Sequence, residues 1–245
     1  MDIKTKAITI SADDKGEADK IVHLFSVDFG NISATVRGVK KQGAKLASCC
    51  FQFAFSEIVL AEKNGYYTVT SCELIEPFVE LYSNLDKFEI ASAILEVARE
   101  LNKGSIDYSE LFVLSLEALK LLAFEEKVST SLIWLKYIMS SLSLSGYKIN
   151  VDFCSSCLSK AQELERLFID FETGAVFCEK HKPLGLIHEF SKDEYLMLSA
   201  LQKIQLSEFS GRVLTPHKIS EKEIVVFGKK LIEGILQSKL KSFLD

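Results

Sequence analysis

The chain has 245 residues, 48% of them hydrophobic, which is enough for one large domain or two small ones with real cores and carries no signature of disorder. Its formal net charge of −5 argues against a protein that holds nucleic acid by total charge, because phosphate contacts come from Lys and Arg. No apolar run approaches the ~20 residues that cross a bilayer, and Met1-Asp2-Ile3-Lys4-Thr5 lacks the charged and then apolar regions of a signal peptide, so a cytosolic protein with no membrane partner is expected.

Period-two patterning predicts five short strands at 4–10, 20–25, 31–37, 51–60 and 66–72. Asp13-Asp14-Lys15-Gly16 and Asp28-Phe29-Gly30 read as turns, 38–43 as a basic loop, and Asn64-Gly65 as a tight hairpin turn. Five strands in so short a stretch suit a small closed barrel, either an OB-fold or an SH3-like barrel. Charge is segregated along the chain. Residues 29–56 hold Arg37, Lys40, Lys41 and Lys45 and no acid, whereas 73–126 are rich in Glu and Asp. The four basic residues are the candidate DNA-binding surface, set against the plainer reading of a solvated face. Cys49, Cys50 and Cys72 lie in strand-like apolar stretches and read as small buried hydrophobes without chemistry.

Past Pro77 the period becomes helical. A helix over 84–102 puts Phe88, Ala91, Leu95 and Ala98 on one face, and a second over 107–124 opens with Asp107-x-x-Glu110, a pair resembling a capping box. A third runs from about Ser129 through Ile133, Trp134, Tyr137, Ile138 and Leu142, with Gly146 placed to end it in a left-handed conformation. Ser191-x-x-Glu194 and Ser220-x-x-Glu223 repeat the capping signature and open two more helices, the second carrying Phe227, Leu231, Ile232, Ile235, Leu236 and Leu240. Residues 201–245 hold eight Lys/Arg against five acids.

Between these helices Cys154, Cys157, Cys178 and His181 form C-x2-C-x20-C-x2-H. Two ligand pairs, each closed by a two-residue spacer, suit tetrahedral Zn²⁺, and three thiolates with one imidazole leave no position for a reactive water. One structural zinc per chain is therefore expected in a module at about 150–190. Residues 167–171 and 175–177, split by Glu172-Thr173-Gly174, read as a hairpin that returns Cys178 towards Cys154 and Cys157. His188 in place of His181, or a CxxC redox motif on Cys154 and Cys157 alone, are the alternatives. Nothing organises an active site: no GxGxxG, P-loop or GxSxG is present, and the adjacent acids Asp13-Asp14 and Glu125-Glu126 suit turns or solvated surface. A non-enzymatic binding protein is expected.

This order of features resembles the bacterial RecO recombination-mediator family. Lys4-Thr5-Lys6-Ala7-Ile8 is similar to its opening strand, and Lys20 to Ser26 with Phe29-Gly30-Asn31-Ile32-Ser33-Ala34 to its second and third. Arg37-Gly38-Val39-Lys40-Lys41 with Lys45-Leu46 resembles its basic loop, and Tyr66-Tyr67 to Glu76-Pro77-Phe78 its passage from barrel to helices. Ser145-Gly146-Tyr147, the Cys154–Cys157 pair and Gly174-Ala175-Val176-Phe177-Cys178 resemble the signature of its zinc-bearing members. His181 stands where that family often has a fourth Cys, and Leu158 where it often has Gly.

The resemblance implies an α+β chain: an N-terminal five-stranded OB-fold barrel over 1–77 that binds nucleic acid, then an α-helical domain over 78–245 with an inserted zinc-binding hairpin. It also implies a mediator that binds single- and double-stranded DNA, anneals strands, and with RecR loads RecA onto coated single strands. A groove near the final helices is expected to take the acidic C-terminal tail of the single-stranded-DNA-binding protein, with Lys229 and Lys230 on its rim. Phe25, Phe29, Phe51, Phe53, Tyr66 and Tyr67 can each either stack bases or fill the barrel core. The rival function is a zinc-stabilised protein-interaction adaptor that does not bind DNA.

Overall fold

The computed structural model describes residues 2–102, 108–147, 149–185, 187–212, 214–216 and 218–243. The chain forms two compact units, Met1–Ala123 and Phe124–Asp245.

In the first unit, β1 (Asp2–Lys15), β2 (Asp19–Ser26), β3 (Gly30–Val36), β4 (Phe55–Lys63) and β5 (Tyr66–Glu76) close a barrel in the order β1-β2-β3-β5-β4. This is the five-stranded OB-fold, and the SH3-like alternative falls away. β1 serves two neighbours. Residues 2–8 pair with β4 and 7–15 with β2, so the two ladders overlap at Ala7 and Ile8, and a register shift between Thr9 and Ser11 interrupts the β2 ladder just beyond that overlap. β3 meets β5 in parallel through Ala34↔Tyr67 and Thr35↔Thr68 alone. Alternation fills the interior: Ile32, Ala34 and Val36 point inward from β3 and join Ala7, Val22, Leu24, Ile58, Leu60 and Val69.

Two sequence expectations are corrected. Asp13, Asp14 and Lys15 belong to β1, and the turn is Gly16-Glu17-Ala18, because cross-strand backbone bonds to β2 run to the Lys15↔Asp19 pair whatever the side chains. The apolar stretch at 47–54 is not strand: Ala47–Cys50 forms a 3₁₀ turn that drops Cys49 into the core, and β4 begins at Phe55.

Helices α1 (Leu85–Leu101) and α2 (Tyr108–Phe124) follow. The Asn84 side chain caps α1 by accepting from the N–H groups of Asp86 and Lys87. Asp107 of the expected capping pair on α2 lies outside the described residues. Aromatic rings join barrel to helices: Phe112 lies 5.6 Å from Phe25 and 6.1 Å from Phe55, and Phe88 lies 5.5 Å from Phe53. Packing thus divides the chain after α2, whereas the change from strand to helix comes near Pro77.

In the second unit, α3 (Thr130–Leu144) ends at Gly146, whose φ of +87° is the expected left-handed stop, with the Tyr147 N–H returning to the Leu142 carbonyl. Strands β6 (Leu167–Asp170), β7 (Val176–Cys178) and β8 (Ile187–Glu189) form an antiparallel sheet in the order β7-β6-β8. Helices α4 (Lys192–Lys203) and α5 (Glu221–Leu236) open with full capping boxes at Ser191/Glu194 and Ser220/Glu223. α5 packs on α3 around Trp134, which is completely buried. No described helix is long and apolar enough to cross a membrane.

Candidate metal centre and nucleic-acid interface

The β6–β7 hairpin builds the metal centre. Its turn is drawn tight by Asp170, whose carboxylate accepts from the Glu172 N–H and the Thr173 hydroxyl while its carbonyl accepts from the Gly174 N–H. The hairpin delivers Cys178 at the end of β7, and the 3₁₀ turn Glu179–His181 delivers His181. The other pair stands on a loop pinned to the same strand, where the Ser155 N–H donates to the Val176 carbonyl and the Cys178 N–H to the Cys154 sulfur. One ligand atom from each of Cys154, Cys157, Cys178 and His181 lies within 4.8 Å of the others, so the four expected residues converge as a group that could hold a metal ion. Cys157 and Cys178 sulfurs are 3.9 Å apart, and His181 Nδ1 is 3.2 Å from Cys178 Sγ. Burial pushes the Cys154 thiol up, but the backbone N–H groups of Cys157, Cys178 and Ser156 together outweigh it and bring it down to about 6.

His188 plays another part. Its Nε2 lies 2.8 Å from Glu194 Oε1, and its ring packs among Phe171, Phe190 and Phe227, so it is not the fourth ligand. Arg166 grips Glu189 with two bonds of 2.6 Å and also donates to Glu179, tying the end of β8 to the turn that carries His181. Leu158 has φ +59°, a left-handed conformation that explains why glycine suits that position.

Of the basic residues in the first unit, Arg37, Lys40, Lys41 and Lys45 are all exposed. They are not equivalent. Lys40 Nζ lies 2.9 Å from Asp14 Oδ2 and donates to the Gly16 carbonyl, so it holds the loop against the β1–β2 turn. Arg37, Lys41 and Lys45 have no acidic partner among the described residues. The pairing with Asp14 depends on a carboxylate far away in sequence, which no local pattern reveals.

Alternate residues of β2 and β3 turn outward, away from the barrel core. On that outer face His23 bridges the Ser33 hydroxyl at 2.9 Å and Asp13 at 3.0 Å, and Lys15 donates to the Thr35 hydroxyl at 3.0 Å. Lys15 carries no acidic partner there, and sequence reasoning missed it because it was assigned to a turn. The six aromatic candidates separate cleanly. Phe25 and Phe53 are core, and Tyr67 packs against it. Phe29, Phe51 and Tyr66 are exposed, Tyr66 by 80%, and Tyr66 opens β5 one residue before the Ala34↔Tyr67 pair with β3.

The second unit holds a groove of about 580 Å³, with Phe171, Val226 and Phe227 among its apolar lining and Lys218, Lys222 and Lys230 among its polar lining. Lys222 and Lys230 are exposed, while Lys229 turns away to lie 5.5 Å over the Phe243 ring.

The model of the recombination protein O N-terminal region matches residues 1–78, and that of its C-terminal region matches 82–241. The chain belongs to the recombination protein O family. Among its relatives are the DNA repair protein RecO of Thermoanaerobacter sp., 27% identical with 99% of this chain and 97% of that one aligned, and that of Dehalococcoides mccartyi strain CBDB1, 26% identical over 99% and 94%. The Acetivibrio thermocellus protein of the same name is 27% identical over 73% of this chain and 70% of its own. The RecO N-terminal match covers the OB-fold and ends as the chain enters the 3₁₀ turn Val79–Tyr82, so the β2–β3 face belongs to one family region and the Cys/His cluster to the other.

Proposed function

We propose that this protein is a recombination mediator that works by binding DNA rather than by catalysis. The observation that carries the reading is a closed OB barrel bearing Arg37, Lys41 and Lys45 without acidic partners on an exposed loop, together with an exposed Tyr66 beside β3. Basic side chains follow a phosphodiester backbone while aromatic faces stack bases without sequence preference. Residues 1–77 are the DNA-binding domain in this reading, and Lys15 joins Arg37, Lys41 and Lys45 as a contact. Single- and double-stranded DNA are the ligands, annealing of complementary strands is the activity, and RecR and RecA act with it. Membership in a family of DNA repair proteins supports each of these assignments.

The Cys154, Cys157, Cys178, His181 cluster takes Zn²⁺. Three sulfurs and one imidazole nitrogen match the soft-to-borderline preference of that ion and fill a tetrahedron, so the metal supplies folding energy and leaves no open position for hydrolysis. Residues 78–245 form the helical domain that this staple supports. Its groove takes the acidic, apolar-tipped tail of the single-stranded-DNA-binding protein, with Lys222 and Lys230 meeting the acids and Val226 and Phe227 the tip.

Binding to a labelled oligonucleotide over a salt series tests the central claim, because counterion release makes affinity fall steeply with salt. Salt-dependent binding accompanied by strand annealing supports the mediator. Binding that is absent at low salt replaces it with the adaptor reading, which the net charge of −5 and the internal use of Lys40 favour.

A further inference from the structure

Three cysteines outside the metal centre meet at one edge of the barrel. Cys49 and Cys50 end the 3₁₀ turn Ala47–Cys50, which packs on β5, the strand that carries Cys72. Cys49 is fully buried in the barrel core, while Cys50 and Cys72 pack against that core with part of their surface in solvent. All three thiols are free. A reversible disulfide needs one sulfur that a small oxidant can reach and a second one beside it.

The surroundings favour Cys72 as the reactive sulfur. The neighbouring Cys49 thiol, above all, stabilises its thiolate, and with the hydroxyls of Ser56 and Ser48 it outweighs burial and brings Cys72 down to about 6. Ser48 Oγ lies 3.9 Å away. The same contacts, with Cys50 and Cys72 as acceptors, push the Cys49 thiol far up, so the proton stays on the buried sulfur.

The geometry points to a peroxide-sensitive dithiol, in which a hydroperoxide oxidises Cys72 and Cys49 then closes a disulfide with it. In the first step the Cys72 thiolate attacks hydrogen peroxide: an S–O bond forms, the O–O bond breaks, hydroxide leaves, and Cys72 becomes a sulfenic acid. In the second, the Cys49 sulfur attacks the Cys72 sulfur. The S–S bond forms, the S–O bond breaks, and the departing hydroxide takes the Cys49 proton as water. Both electrons come from the thiols and peroxide is the oxidant consumed. Closure also withdraws the Cys49 sulfur from the Leu46 carbonyl, 2.9 Å away, and so removes one anchor of the turn directly after Lys45. Oxidation thereby reaches the basic loop.

The full-length protein with its metal loaded is treated with an equimolar amount of hydrogen peroxide, its remaining thiols are blocked, and the peptides carrying Cys49, Cys50 and Cys72 are mapped by mass without reduction. The expected result is a link between the Cys72 peptide and the Cys49/Cys50 peptide. It should persist in Cys50→Ser, disappear in Cys49→Ala and Cys72→Ser, and open again with dithiothreitol. Should Cys49→Ala fail to fold, the Cys50→Ser map decides by itself, because one thiol then remains on that peptide. A Cys72 that stays reduced, or that goes on to sulfinic acid while Cys49 keeps its thiol, overturns the proposal. So does a link that survives Cys49→Ala.

Discussion

Gly228 faces the indole of Trp134 so closely that a methyl group in place of its hydrogen would stand 2.4 Å from Nε1. That nitrogen donates to the Val225 carbonyl one turn away, at 3.2 Å, so the indole is held both by shape and by a bond. α3 and α5 approach each other through the missing side chain. Gly228→Ala gains about 1 kcal/mol of helix propensity but forces a shift in a filled core, which typically costs about 1–3 kcal/mol. We expect a net loss of stability. Urea unfolding followed by the fluorescence of this one tryptophan checks it, and a stabilised variant would contradict the close contact.

The metal prediction concerns the Cys/His cluster. Protein purified under reducing conditions should carry one zinc per chain, and Cys154→Ser or Cys178→Ser should lower the melting temperature of the second unit, because binding energy becomes folding energy where the unfolded chain has no preformed site. Elemental analysis and differential scanning calorimetry, with and without chelator, provide the readout. Metal-free protein of unchanged stability would refute it.

How much of this was legible beforehand depended on whether the cause was local. The four ligands could be read because a two-residue spacer itself points a pair of side chains at one ion. Ser191 and Ser220 could be read because a capping box closes within four residues. The extent of β1 could not, since Asp13-Asp14-Lys15 has turn-like side chains on a backbone whose bonding is set by β2. Cys49 read as part of a strand because an apolar residue entering a core from a 3₁₀ turn has no period to betray it. The choice between His181 and His188 needed Glu194, which belongs to a later helix.

The loop residues should differ in their effect on DNA. Lys41→Glu should weaken single-strand binding and lower the salt slope by about 1, whereas Asp14→Asn should strengthen binding by releasing Lys40, raising the slope by about 1. Fluorescence anisotropy at several salt concentrations measures both. Equal behaviour of the two variants would remove the loop from the interface.

For the groove, a fluorescent peptide with an acidic body and an apolar tip should bind and lose that binding when Lys222 and Lys230 are both reversed to Glu. Lys229→Glu alone should have little effect, because that side chain is engaged with Phe243. Binding that survives the double reversal moves the peptide site off this groove.

A pH prediction follows from α5. The Ser220 hydroxyl and then the Ser220 N–H hold the Glu223 carboxyl below its ordinary value of 4.5. A carboxylate depressed in the folded state stabilises above its unfolded pKa, and that contribution fades as pH falls through the lower, folded one. Glu223→Ala should therefore melt below the parent at neutral pH, and the gap should close as pH falls below about 4.5. A gap independent of pH would assign the effect to packing.

The two-pair seam between β3 and β5 gives the barrel a built-in soft spot. Elsewhere each strand is held along most of its length, so a fluctuation must break a long ladder, but here it need part only Ala34 from Tyr67 and Thr35 from Thr68. Arg37 follows the seam just past the end of β3 and Tyr66 precedes it at the start of β5, so the two stand at opposite ends of it. The barrel can thus yield locally, like a cuff with one short fastening, and let those two side chains change their spacing while the remaining ladders keep the interior dry.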